Sequence, residues 1–159
     1  MIFMKKCLPF IAVLTLLNVF TSRAQSAEES IKTVINQMFT AMKNADAAVL
    51  KTVFADSALL QSISRTPDGK TVVRNEPIAD FIEIVGKQTP GASDERISFE
   101  SVKTDGQLAS AWTPYAFYYN GQLHHCGVNS FQLVKINNAW KIQYIIDTRR
   151  KDGCPAEGK

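Results

Sequence analysis

Apolar positions recur at two different periods along this chain, and the change of period divides it. Between Ala27 and Lys43, the residues Ile31, Val34, Ile35, Met38, Phe39 and Met42 fall three and four positions apart, which is one face of an amphipathic helix. Asp46 then stands before "AAVLKTVFA" as the N-cap of a second, shorter helix. "ALLQSIS" and "KTVVRN" bracket Pro67, Asp68 and Gly69 and read as two short strands about a turn. Pro77 opens a third helix running to about Gln88, with Ile78, Phe81, Ile82 and Val85 inward.

From Glu95 onward the alternation has a period of two. "RISFESVK", "LASAWTPYAFYY", "QLHHCGVNSFQLVKI" and "WKIQYIIDTR" are separated by Asp105-Gly106, Asn120-Gly121 and Asn137-Asn138. Asn-Gly between alternating segments marks a two-residue hairpin, because both central residues of that turn need positive φ. The second half is therefore an antiparallel meander. Three helices followed by a long sheet predict an α+β fold in which the helices cover one face of a curved, mainly antiparallel sheet.

That element order resembles the nuclear-transport-factor-2-like superfamily, the cone-shaped fold of SnoaL-like cyclases, ketosteroid isomerases and lumazine-binding-like proteins. The resemblance spans about Ser26 to Cys154 and rests on the helix order, on "FADSALL" and on "GQLHHCGVNSFQLVKINNAWKIQYIIDTRR", which is similar to secreted bacterial members. The superfamily hosts enzymes, binding modules and transport factors, so the resemblance implies a fold and a ligand-sized interior without choosing a reaction.

Charge and cysteine count refine the picture. Lys5 and Lys6, the apolar run Leu8 to Phe20 and then Ser22-Arg23-Ala24 have the form of a secretory signal peptide over residues 1–24, leaving one domain over residues 25–159. The apolar run is too short for a span of about 20 residues, so a stable membrane anchor is not expected. The net charge of +3 resides in that segment, and the remainder has as many bases as acids, which removes nucleic acid as an expected partner. The expected location is outside the cytoplasm, periplasmic or secreted. There Cys126 and Cys154 form an even pair, either a disulfide or two free thiols.

Both histidines, His124 and His125, adjoin Cys126. With Asn120-Gly121 and Asn137-Asn138 as two-residue turns, regular pairing places Trp112, Ala116, Tyr118, Leu123, His125, Asn129, Phe131, Leu133, Ile142, Tyr144 and Ile146 on the helix-facing side. The same register turns Tyr115, Phe117, Tyr119, His124, Cys126, Val128, Ile145 and Asp147 outward. His124 and His125 would then point to opposite sides, and too few ligands remain for zinc, so no metal and no cofactor is expected. A bulge at Pro114 would shift parity.

On this reading the ligand-contacting set is Trp112, Tyr118, His125, Asn129, Phe131 and Tyr144, around a small apolar or aromatic molecule. His125 is a satisfied core histidine, a ligand contact or a general acid/base. No inward carboxylate is foreseen, and Asp147 reads as solvated or salt-bridged. Three classes remain open: a non-catalytic binder, an isomerase, dehydratase or cyclase using His125, and an interaction protein. Tyr115, Phe117 and Tyr119 on the outward face predict a homodimer paired by its sheets.

Overall fold

The computed structural model describes residues 27–154, so the expected signal peptide lies outside the described residues. The elements follow the order α1 (27–43), α2 (Ala47–Val53), β1 (Phe54–Arg65), β2 (Thr71–Glu76), α3 (Ile78–Gly86), β3 (Ser93–Ile97), β4 (Ser101–Asp105), β5 (Leu108–Tyr119), β6 (Gln122–Ile136) and β7 (Ala139–Thr148). The sheet has seven strands in the order β2-β1-β7-β6-β5-β3, with β4 also paired to β5, and only β1 and β7 run parallel. The fold is α+β, as the periodicities predict. Among the described residues no helix is long and apolar enough to cross a membrane.

Local chemistry accounts for the helix starts and the turns. Asp46 caps α2 by accepting from the Val49 amide at 2.9 Å, and Pro77 precedes α3 at φ −58°. Asn120 and Gly121 have φ of 49° and 78°, and Asn137 and Asn138 have 50° and 65°, the left-handed values that two-residue hairpins require. The helices bury Ile31, Ile35, Met38, Phe39, Met42, Leu50 and Val53 against Phe131, Leu133, Ile142 and Ile145 of the sheet. Phe39 meets Phe131 edge to face at 6.1 Å between centroids, an arrangement that adds roughly 1 kcal/mol to the burial itself.

Two bulges overturn the regular register. Tyr119 pairs with Gln122 and Tyr118 with Leu123, but Phe117 pairs with His125, which leaves His124 as an extra residue on β6. Leu133 pairs with Ile142, but Gln132 pairs with Tyr144, which leaves Gln143 extra on β7. Gln143 is held there by donating its amide to the Ser57 carbonyl at 3.0 Å, beside the stretch where β1 also shifts register against β7. Each extra residue inverts side-chain parity beyond it.

The consequences correct the facing expected from the turns. His125, Asn129, Phe131, Leu133 and Ile142 do face the helices, now beside Thr113, Tyr115, Phe117, Ile145 and Asp147. Trp112, Tyr118 and Tyr144 turn to the opposite side: Trp112 is 45% exposed, Tyr118 lies under the Arg96 guanidinium at 4.0 Å, and Tyr144 donates to Gln61 at 2.5 Å. Tyr115 and Phe117 leave the outward face, so the apolar patch expected to pair two copies does not form; only Tyr119 of that trio is exposed. The single strand expected over "RISFESVK" is also two strands, β3 and β4, flanking Ser98–Glu100.

Candidate functional site

The two bulges create the site. Beyond Gln143, Asp147 points inward and is buried to 6% exposure, opposite Asn129. Across β5, Thr113 pairs with Asn129 and Tyr115 with Gly127, while on β3 Glu95 pairs with Phe117 and so shares its helix-facing side. Glu95 and Asp147 are both inward carboxylates, contrary to the expectation that the interior holds none.

These groups form one network. Asn129 donates its amide to Glu95 at 2.9 Å. Asp147 Oδ2 accepts from Arg149 Nε at 2.9 Å and from the Tyr115 hydroxyl at 3.3 Å, and the same hydroxyl reaches the Thr148 carbonyl at 2.9 Å. Arg149 extends its other end to Glu76 at 3.1 Å. Asp147 Oδ1 is buried without a hydrogen-bond partner among the described residues. A buried carboxylate oxygen left this way costs free energy unless something donates to it.

Proton affinities follow from the surroundings. Desolvation pushes the Glu95 carboxyl up to about 7; the nearby charge of Asp147 adds to the rise, while the Asn129 amide and Arg149 restrain it. Part of Glu95 is accessible because it opens onto a cavity, yet its carboxyl is surrounded by protein. Burial, reinforced by Asp147 and Glu95, drives the Tyr115 hydroxyl far above its usual range, so it remains a donor. Burial opposes the charge of Arg149, but Asp147 and Glu76 outweigh it and hold the guanidinium firmly protonated.

The histidines meet after all. The bulge sets His124 and His125 against the same partner residue, Phe117, and brings their Nδ1 atoms to 2.8 Å, correcting the expectation that they point apart. One nitrogen donates and the other accepts, so the pair holds a single shared proton across this contact. His125 packs on Tyr115 at 5.6 Å and Phe117 at 4.9 Å. Burial, with Arg149 and His124, lowers its pKa to about 4, leaving a neutral imidazole at pH 7. Among the described residues no group of three His, Cys, Asp or Glu could hold a metal ion.

The network lines one side of a cavity of about 500 Å³ between α3 and the sheet. Glu95, Asp147, Arg149 and His125 supply its polar side, and Phe81, Ile84, Val85 and Phe117 its apolar side. Of the residues expected to contact a ligand, His125 lines this cavity, Asn129 stands behind Glu95, and Phe131 lies in the core against Phe39. Trp112, Tyr118 and Tyr144 belong to the opposite face of the sheet, because the His124 bulge inverts the parity of the first two relative to His125 and the Gln143 bulge that of the third. Another depression, lined by Val34, Gln37, Thr52, Trp140 and Lys141, contains no carboxylate.

Cys126 and Cys154 are joined by a disulfide, with 5.5 Å between their Cα atoms. Cys126 and Arg150 also exchange both backbone hydrogen bonds at 3.0 Å, so the segment after β7 is tied to β6 beside the histidines.

Comparison with known proteins agrees with this architecture. Residues 26–143 match the family model described as "Putative lumazine-binding". No curated protein matches the chain. Among solved structures, an NTF2-like protein of unknown function from Shewanella baltica is 16% identical, with a TM-score of 0.61 over 80% of this chain and 96% of that one. An NTF2-like protein with a cystatin-like fold from Novosphingobium aromaticivorans is 14% identical, with a TM-score of 0.61 over 94% of each chain. A cystatin-like domain of unknown function from Nostoc punctiforme is 19% identical, with a TM-score of 0.58 over 78% of each chain. At these identities the structural likeness establishes the fold alone, an NTF2-like one, whereas the family match covers most of the sequence: the chain belongs to the family described as "Putative lumazine-binding".

Proposed function

We propose that this protein binds a small planar heterocycle in the cavity between α3 and the sheet. The observation that carries the reading is Asp147 Oδ1, a buried acceptor without a partner among the described residues, on a side chain lining the cavity that also presents the Glu95 carboxyl. A ring with an N–H beside a carbonyl satisfies both: the N–H donates to Asp147, and the carbonyl accepts from protonated Glu95. Phe81 and Phe117 supply apolar surface for the ring faces, and about 500 Å³ falls within the range of small-molecule sites. The pteridinedione edge of a lumazine has this donor and acceptor pattern, in keeping with the family's name.

The test is a fluorescence titration with lumazine as probe, together with mass spectrometry of whatever co-purifies. Saturable binding that Asp147→Asn weakens about tenfold or more supports the reading. Binding unchanged in Asp147→Asn, or no binding of lumazine and no co-purifying heterocycle, overturns it.

A second reading is an isomerase, dehydratase or cyclase, and the Glu95 pKa of about 7 favours it. A group half-ionised at neutral pH both accepts and returns a proton, whereas His125 at about 4 is too weak a base for that task and too acidic to remain charged. The proton carrier in this version is Glu95, with Tyr115 donating to Asp147 and holding it in place. We further propose that the chain is exported after cleavage near Ala24, which fits a disulfide that persists only under oxidising conditions. N-terminal sequencing of periplasmic or secreted material should begin near Gln25, and a chain retaining Met1 would refute export with cleavage.

A further inference from the structure

A second cavity, of about 690 Å³, adjoins the first and shares His124, His125 and Arg149 with it. Its chemistry is the reverse. The first cavity presents Glu76, Asp80, Glu95 and Asp147 against Arg149, whereas the second adds Arg65, Arg150 and Lys151 against the single carboxylate of Asp152. Arg149 is matched by Asp147 and Glu76, but among the described residues Arg65, Arg150 and Lys151 form no ion pair. Residues 25–159 have as many acids as bases, so this local excess is not a share of a generally basic surface.

We propose that the second cavity is an anion subsite, taking a carboxylate or phosphate carried by the same molecule whose heterocyclic head occupies the first. The inference rests on the binding reading above and adds the ligand's second half. Three features support it. The cavities share His124, His125 and Arg149 in their walls, so a molecule seated in the first can carry a substituent towards the second. Unmatched cations facing one hollow attract an anion more strongly than the same charges spread over a surface, because their potentials add there. The backbone that carries two of these cations is also held in place: Arg150 is paired to Cys126 through both backbone hydrogen bonds, and the disulfide at Cys154 closes the segment that carries Lys151. Fixing a wall before binding removes an ordering cost that a loose tail would incur on binding.

The test uses calorimetric titrations at low ionic strength with three probes: inorganic phosphate, lumazine and lumazine-6-carboxylate. Phosphate should bind at one site, and the double variant Arg150→Gln, Lys151→Gln should weaken it about tenfold, while Lys103→Gln on β4 leaves it unchanged. The 6-carboxylate should bind about tenfold tighter than lumazine, and the double variant should erase that advantage. Both substituted side chains are exposed, so the fold should persist, which circular dichroism checks. No phosphate binding together with equal affinity for the two lumazines overturns the subsite and leaves the heterocycle reading standing. Phosphate binding that responds to the double variant, without any lumazine binding, sustains the subsite and overturns that reading. An equal loss of phosphate affinity in Lys103→Gln reduces the effect to overall charge and overturns the subsite.

Discussion

Tyr115 on β5 lies directly opposite Gly127 on β6, and its ring crosses the bare glycine so that its hydroxyl reaches the Thr148 carbonyl and Asp147. A Cβ on residue 127 would sit 1.7 Å from the Thr148 oxygen and 2.8 Å from the Tyr115 ring. The glycine is thus required by close approach of three strands, and its φ is not in the left-handed region.

Gly127→Ala should therefore be severe. The clash is with backbone, which cannot rotate away, so β6 must part from β7 or Tyr115 must leave the pocket. A loss of about 3 kcal/mol or more in a urea titration is expected, accompanied by weaker probe binding. A change within 0.5 kcal/mol, on the order of an ordinary surface substitution, would contradict the packing described.

Glu95 and His125 should give stability opposite dependences on pH. The folded pKa of Glu95 lies above its ordinary 4.5, so its contribution is present below about 4.5 and is lost as pH rises through about 7. The folded pKa of His125 lies below its ordinary 6.5, so its contribution is present above about 6.5 and is lost as pH falls through about 4. Over the shared window the two nearly cancel. Glu95→Gln should uncover a rise in stability with pH, and His125→Asn a fall, each on the order of 2 kcal/mol after allowing for partial solvent access. Parallel curves for parent and variants, measured by urea unfolding between pH 4 and 8, would show that neither group is perturbed.

Asn129 restrains the Glu95 pKa by donating to its ionised form. Asn129→Ala removes that donor and should move the Glu95 titration upward, well above about 7, as read by carbon NMR of the carboxyl. A downward movement would mean that the amide does not stabilise the carboxylate. The same variant should shift the acid limb of any activity profile if Glu95 moves protons.

Much of this fold was legible because it depends on local chemistry: Asp46 capping α2, Pro77 opening α3, and the Asn-Gly and Asn-Asn turns each act within a few residues. The site was not, because it depends on counting. Alternation carries the phase of a strand but not a one-residue insertion, and neither His124 nor Gln143 is a residue type that announces a bulge. One missed insertion sent Tyr115 and Phe117 outward, and the other did the same to Asp147. Glu95 was then invisible, since its facing follows from Phe117 across β3 and β5. A usable hint was Gly127, a bare position amid bulky strand residues, which signals close backbone approach.

The Cys126–Cys154 bond survived the register error because the Gln143 bulge moves the partner of Cys126 by only one residue, to Arg150, still within a short turn of Cys154. It closes a loop with a sequence separation of 28 residues. In the chain-entropy account such a loop restrains the unfolded state by about 3.5 kcal/mol. The loop contains all of β7, so reduction also frees the segment bearing Arg150 and Lys151 from its covalent tie to β6. Two effects should therefore separate. Reductant, or the variant Cys126→Ala with Cys154→Ala, should lower the urea midpoint by an amount equivalent to about 3 kcal/mol. At low urea, where the protein is still folded, the same change should weaken phosphate binding more than lumazine binding, because only the basic wall relies on the tie. Thiol counting on denatured, non-reduced protein provides the direct check: no reactive thiol from these two residues is expected, and two per chain would refute the bridge and the immobilised wall with it.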